Sequence, residues 1–114
     1  MALTMERISA PELYDRLKSK HRPVLINALS KEAFQAKRIP GSINLTEDNL
    51  ECAEQILPDK DQDIVVYCAN ADCDASPNLA NKLTDMGYKN VWDFEKGLAG
   101  WREAGYNLKG SEVN

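Results

Sequence analysis

Short runs of β-branched and aliphatic residues alternate along this chain with stretches whose apolar positions recur at helical spacing. That alternation is the pattern of a parallel α/β sheet. Ser9-Ala10-Pro11-Glu12 has the spacing of a capping box with proline in the first turn. It predicts a helix that carries Leu13 and Leu17 inward. Pro23-Val24-Leu25-Ile26 has no polar face and predicts a short strand buried on both sides. Ser30 is placed to cap a brief helix containing Ala33 and Phe34. Ile39 to Leu45 predicts a turn entering a short strand. Thr46 is placed to cap a helix with Leu50, Ala53 and Leu57 on one face, ended by Pro58.

The second half is patterned more strongly. Asp63-Ile64-Val65-Val66-Tyr67 is the clearest strand, and a loop from Cys68 to Ala75 follows it. Ser76-Pro77 reads as an N-cap and first-turn proline. The helix it opens has Leu79, Ala80, Leu83 and Met86 as its apolar face and Gly87 as C-cap. Val91-Trp92-Asp93-Phe94 is a last strand, and a final helix presents Leu98 and Trp101. The segment after Gly105 predicts an irregular wrap. The four strands read from the pattern give a mainly parallel sheet with helices on both faces, formed by a single domain over residues 1–114.

Composition narrows the function classes. The 114 residues are 43% hydrophobic and 28% charged, ordinary for a globular domain, and no apolar run is long enough to cross a bilayer. A net charge of −4 without a basic cluster argues against nucleic acid or an anionic membrane as partner. No secretory signal is visible at the N-terminus, so a cytoplasmic location is the expectation. The cysteines are Cys52, Cys68 and Cys73, and the one histidine is His21. Their number and spacing fit neither a disulfide framework nor a zinc site, so no metal is expected.

Chemistry concentrates after the clearest strand. Cys68 stands at a strand's carboxyl end, where open parallel sheets collect ligands. The helix beginning near Ser76 turns its N-terminus toward the same loop. Free N–H groups and the helix dipole there favour a thiolate, the nucleophilic form of cysteine. The competing reading of Cys68 is a small core hydrophobe. Cys52 reads as a spectator, His21 as part of a solvated basic helix end, Trp92 and Trp101 as core, and Glu12 and Asp15 as surface.

Several segments, in this order, resemble the rhodanese homology domain, a sulfurtransferase family. Ile8 to Leu13 is similar to its opening strand-to-helix step. Val24 to Leu29 stands where the family has an apolar run followed by Asp-Val-Arg. Arg38-Ile39-Pro40-Gly41-Ser42-Ile43-Asn44 resembles its His-Ile-Pro-Gly-Ala turn. Val65 to Cys68 resembles the strand that delivers the catalytic cysteine. Gly87 to Val91 and Lys96 to Trp101 are similar to the closing strand and the Gly-Gly-x-x-x-Trp segment.

The resemblance implies a rhodanese-like fold, a five-stranded, mainly parallel sheet with helices on both faces, and the activity of a sulfurtransferase. Cys68 would take sulfane sulfur from a small-molecule or protein-bound donor, become a persulfide, and pass the sulfur to a thiol or other nucleophilic acceptor. No cofactor is implied. The loop N–H groups of Ala69, Asn70, Ala71, Asp72, Asp74, Ala75 and Ser76 would cradle the sulfur anion. The chain departs from the family pattern where it has Cys73 in place of the loop arginine, acidic Asp72 and Asp74, and Asn27 and Leu29 for Asp and Arg. A helix N-terminus stabilises a nearby anion by up to ~2 kcal/mol. A carboxylate ~6 Å away costs ~2–3 kcal/mol at an effective dielectric near ~20. These changes predict weak turnover of anionic thiosulfate, and they count against phosphatase chemistry, which needs an arginine on the phosphoryl oxygens. Cys73, five residues beyond Cys68 on a loop that must curl back, is either a resolving or accessory thiol for a Cys68 persulfide or a space-filling residue under the loop. Two other readings stay open: a dithiol redox protein using Cys68 and Cys73, and a non-catalytic interaction or sulfur-carrier module.

Overall fold

The structure is a computed structural model that describes residues 6–20 and 22–113. His21 lies outside the described residues. The elements are β1 (Glu6–Arg7), α1 (Ala10–Lys18), β2 (Val24–Asn27), α2 (Lys31–Ala36), β3 (Ile43–Asn44), α3 (Ala53–Ile56), β4 (Asp63–Tyr67), α4 (Ala75–Asp85), β5 (Asn90–Phe94) and α5 (Gly97–Glu103). The strands form one five-stranded sheet in the order β1-β5-β4-β2-β3, and every pairing is parallel.

The strand period of two divides the core between the faces of the sheet. Ile26, Ile64, Val66 and Val91 face Ala53 and Leu57 of the α3 region and Leu79, Ala80 and Leu83 of α4. Leu25, Val65, Tyr67 and Phe94 face Leu13 of α1 and Trp101 of α5. β4 lies in the centre and is covered on both sides, which is why none of Ile64 to Tyr67 is exposed. No helix among the described residues is long and apolar enough to cross a membrane.

Capping follows the sequence at α1 and α2. Ser9 Oγ accepts from Glu12 N at 3.3 Å, and Ser30 Oγ accepts from Ala33 N at 3.2 Å. The helix expected after Thr46 is instead split into a 3-10 segment, Glu47–Cys52, and the single turn α3. Asn49 breaks it, with φ −114° and ψ 23°, while its amide donates to Thr46 Oγ1 at 3.2 Å. A side chain that serves the local chain in this way competes with helix continuation. The expected start of α4 is also corrected: Asp74, not Ser76, holds the N-cap position, and Ser76 lies buried within the first turn. Trp101 is core, whereas Trp92 is only half-buried and carries the Arg16 guanidinium 4.6 Å from its ring centre. Cys52 lies half-buried in the 3-10 segment as a free thiol.

The chain after α5 wraps irregularly, as its pattern implies. Lys109 pairs with Arg38, and Ser111 N and Glu112 N donate to the carbonyls of Gln35 and Ala36. These last two bonds satisfy the otherwise open C-terminal carbonyls of α2, a helix with no fully buried residue of its own.

Candidate active site

Cys68 is the residue immediately after β4 and has no exposed surface. The chain then crosses the end of the sheet through residues 69–74 before α4 begins. Ala69 is half-buried, whereas Asn70, Ala71, Asp72 and Asp74 are exposed. A tight turn closes this loop. Asn70 O accepts from Cys73 N at 3.2 Å, and Asn70 Oδ1 accepts from Asp72 N at 3.0 Å. The turn returns Cys73 over Cys68, and the two form a disulfide with Cα atoms 6.3 Å apart.

The root of the loop is pinned from the other side. Leu98 N and Ala99 N, in the first turn of α5, donate to the carbonyls of Cys68 and Ala69 at 3.0 and 2.9 Å. In a trans peptide the C=O and the following N–H point in opposite directions. The N–H groups of Ala69 and Asn70 are therefore turned away from α5, and neither has a protein acceptor among the described residues. Gly97 makes this approach possible: its φ is +57°, and a Cβ there would overlap the Cys68 carbonyl.

Beneath the first turn of α4, Asp93 of β5 is 3% exposed and its Oδ1 has no hydrogen-bond partner. Its register partner is Val66, so it faces the α4 side of the sheet. Burial raises its pKa above the ordinary 3.8, and the charge of Glu95 adds to that. A hydrogen bond from Ser76 and the charge of Arg7 pull the other way. Neither Asp93 nor Gly97 stands among the site residues expected from sequence. An ionisable residue inside the otherwise apolar run Val91–Phe94 is the signal that could have found Asp93.

On the opposite face, the Tyr67 hydroxyl is a saturated node. It accepts from Asn27 Nδ2 at 2.9 Å and from Ile39 N at 3.0 Å, and it lies 2.9 Å from Ser42 Oγ. Ser42 Oγ donates to Ile39 O, so the tyrosine donates to the serine. Asn27 Oδ1 accepts from Leu29 N, and Asn44 Nδ2 donates to the carbonyls of Asn27 and Leu29. Burial raises the Tyr67 pKa, so the phenol stays protonated as donor. Tyr67, one residue before Cys68, thus ties β2, the turn after α2 and the end of β4 together.

The fold agrees with what the chain matches. The model of the rhodanese-like domain matches residues 9–104. The chain belongs to the rhodanese-like domain family. It is 35% identical over 102 residues to the adenylyltransferase and sulfurtransferase UBA4 of Candida albicans, a match covering 82% of this chain and 23% of that protein. It is 34% identical over 71 residues to the thiosulfate sulfurtransferase GlpE of Tolumonas auensis, covering 61% of this chain and 63% of that one. The chain therefore spans about a quarter of the first relative's length and less than two thirds of the second's. The rhodanese-like domain of the Anabaena Alr3790 protein superposes with a TM-score of 0.82 at 21% identity, over 96% of this chain and 82% of that one. The rhodanese-like fold is thus that of this chain, and sulfurtransferase is the activity named among its relatives.

Proposed function

We propose that this rhodanese-like domain is a sulfurtransferase that carries sulfane sulfur as a persulfide on Cys68. The observation that carries this reading is the position of Cys68 at the carboxyl end of the central strand, with the N–H groups of Ala69 and Asn70 turned away from α5 and without acceptors among the described residues. Relatives named sulfurtransferases support the reaction class. The Cys68 thiolate attacks the outer sulfur of a donor persulfide and releases the donor thiolate. The loop N–H groups stabilise the new persulfide anion. An acceptor nucleophile then takes the outer sulfur, and Cys68 leaves as thiolate. No cofactor takes part in these steps. The donor is neutral or protein-bound, because the loop offers Asp72 and Asp74 and no cation. The disulfide form leaves Cys68 neither free nor exposed, so sulfur enters the reduced protein.

The test uses reduced protein with Cys52→Ser and Cys73→Ser, so that Cys68 is the only thiol. After exposure to cysteine persulfide under anaerobic conditions, mass spectrometry should find one added sulfur on the peptide containing Cys68. That sulfur should pass to an added acceptor thiol. Adding Cys68→Ser should abolish the gain. No mass gain on Cys68 would sink the reading. The Cys68–Cys73 pairing favours a second, redox role, and it is compatible with the first.

A further inference from the structure

We propose that Cys73 is a resolving thiol, which gives this domain a second activity: reduction of sulfane sulfur to sulfide. The inference rests on the Cys68 persulfide above. Three observations carry it. The Cα atoms of Cys68 and Cys73 are 6.3 Å apart, inside the roughly 4.4–6.8 Å range of disulfides, and the two are bonded. The Asn70–Cys73 turn holds that proximity with two hydrogen bonds, so the approach does not depend on chance closure of a slack loop. The bond is made to Cys68 Sγ itself, which is the inner sulfur of the persulfide.

That last point decides the product. Attack by Cys73 on the outer sulfur would only move the persulfide from one cysteine to the other. Attack on the inner sulfur forms the Cys68–Cys73 bond and breaks the bond to the outer sulfur, which leaves as hydrosulfide with the electron pair. The balance is one persulfide plus one thiol giving one disulfide plus one hydrogen sulfide. Counted from the two thiols and the incoming sulfane sulfur, that sulfur is reduced to sulfide and the two cysteine sulfurs are oxidised to the disulfide; in the resolving step itself Cys73 is oxidised and the outer sulfur reduced, so no external oxidant is required. A dithiol reductant then reopens the disulfide and returns both thiols. An intramolecular thiol acts at a high effective concentration, so the sulfur survives for transfer only when the loop holds Cys73 off or a docked acceptor arrives first.

The experiment compares native protein with Cys73→Ser and Cys73→Ala, all reduced and anaerobic, with melting curves to confirm that each variant is folded. Each is mixed with one equivalent of cysteine persulfide and quenched with acid over time. Intact mass and released sulfide are both read. The native protein should release close to one equivalent of sulfide per chain and acquire a reducible Cys68–Cys73 crosslink. The variants should hold the persulfide at least about tenfold longer and release no comparable sulfide. With excess cysteine persulfide and a dithiol present, sulfide release should turn over repeatedly in the native protein, faster than in either variant or in the protein-free mixture, where the dithiol reduces the persulfide directly. Equal persistence in native and variant proteins, or a crosslink formed without sulfide, overturns the resolving role while leaving the Cys68 persulfide standing. Failure of every form to load sulfur on Cys68 instead removes the persulfide reading, and the resolving role with it.

Discussion

Asp93 and Tyr67 illustrate opposite ways of burying a polar group next to the Cys68 loop. The Tyr67 hydroxyl makes three hydrogen bonds and holds the end of β4 in register with β2 and the turn after α2. Asp93 keeps one oxygen without a partner at 3% exposure. A buried, half-satisfied carboxyl disfavours its own charge. Its folded pKa is raised, so the protonated form favours folding. That contribution is fully present below the unfolded pKa and is lost as pH rises through the folded one. Asp93→Asn removes the ionisation. Between about pH 4 and pH 7 the native protein should therefore lose more unfolding free energy than Asp93→Asn does, by on the order of 1 kcal/mol. Urea unfolding at both pH values measures this, and parallel pH dependence in the two proteins would show that Asp93 ionises in the fold at no cost.

At the scale of elements, the loop is held between the starts of two helices that meet it differently. α4 begins with exposed Asp74 at its N-cap and makes no side-chain capping bond there, because the serine available for capping, Ser76, is buried beside Asp93. α5 gives its first-turn N–H groups to the carbonyls of Cys68 and Ala69. That second contact depends on Gly97, where φ is +57° and no room exists for a methyl group against the Cys68 backbone. Gly97→Ala must either strain the backbone or push α5 off the loop. It should cost at least about 2 kcal/mol of stability and lower sulfur loading at Cys68 together with it. Gly105→Ala is the control, since its φ is also positive, +92°, but nothing lies within 4 Å of its Cβ position. Equal losses from both substitutions in urea melts would mean that backbone strain alone, and not the approach to Cys68, sets the requirement.

For the molecule as a whole, charge bears on which donor the proposed reaction takes. The chain carries −4 overall, and the loop after Cys68 displays Asp72 and Asp74 on its surface. Both carboxylates are exposed, so water and salt weaken their effect on Cys68 relative to a buried charge. The greater handicap toward a dianionic donor is therefore the absence of a positive group in the loop. Thiosulfate turnover should be low. Asp72→Arg exchanges a negative for a positive charge at the loop surface. At about 7 Å in water this is worth ~1 kcal/mol, or a gain of about fivefold to tenfold in kcat/KM for thiosulfate. The gain should shrink as ionic strength rises, whereas a neutral donor should show little change. An unchanged or lower thiosulfate rate in Asp72→Arg would show that loop charge does not set donor choice.

Local patterning was enough to determine the succession of elements along the chain from α1 to α5, the caps at Ser9 and Ser30, the Asp63–Tyr67 strand with Cys68 beyond its end, and the irregular wrap after Gly105, but not β1. These depend on side-chain period and on hydrogen bonds spanning a few residues, and both are written in consecutive positions. The break at Asn49 and the start of α4 at Asp74 were less legible, because side chains there chose between neighbouring backbone and distant partners. Cys73 could be named as a neighbour of Cys68 from spacing, but only the Asn70 turn sets its sulfur against that of Cys68. Asp93 meets Ser76, and Gly97 meets the Cys68 carbonyl, because β5 lies beside β4 in the sheet. Strand order is a long-range packing outcome, since it rewards contacts between residues whose separation along the chain carries no periodic signal.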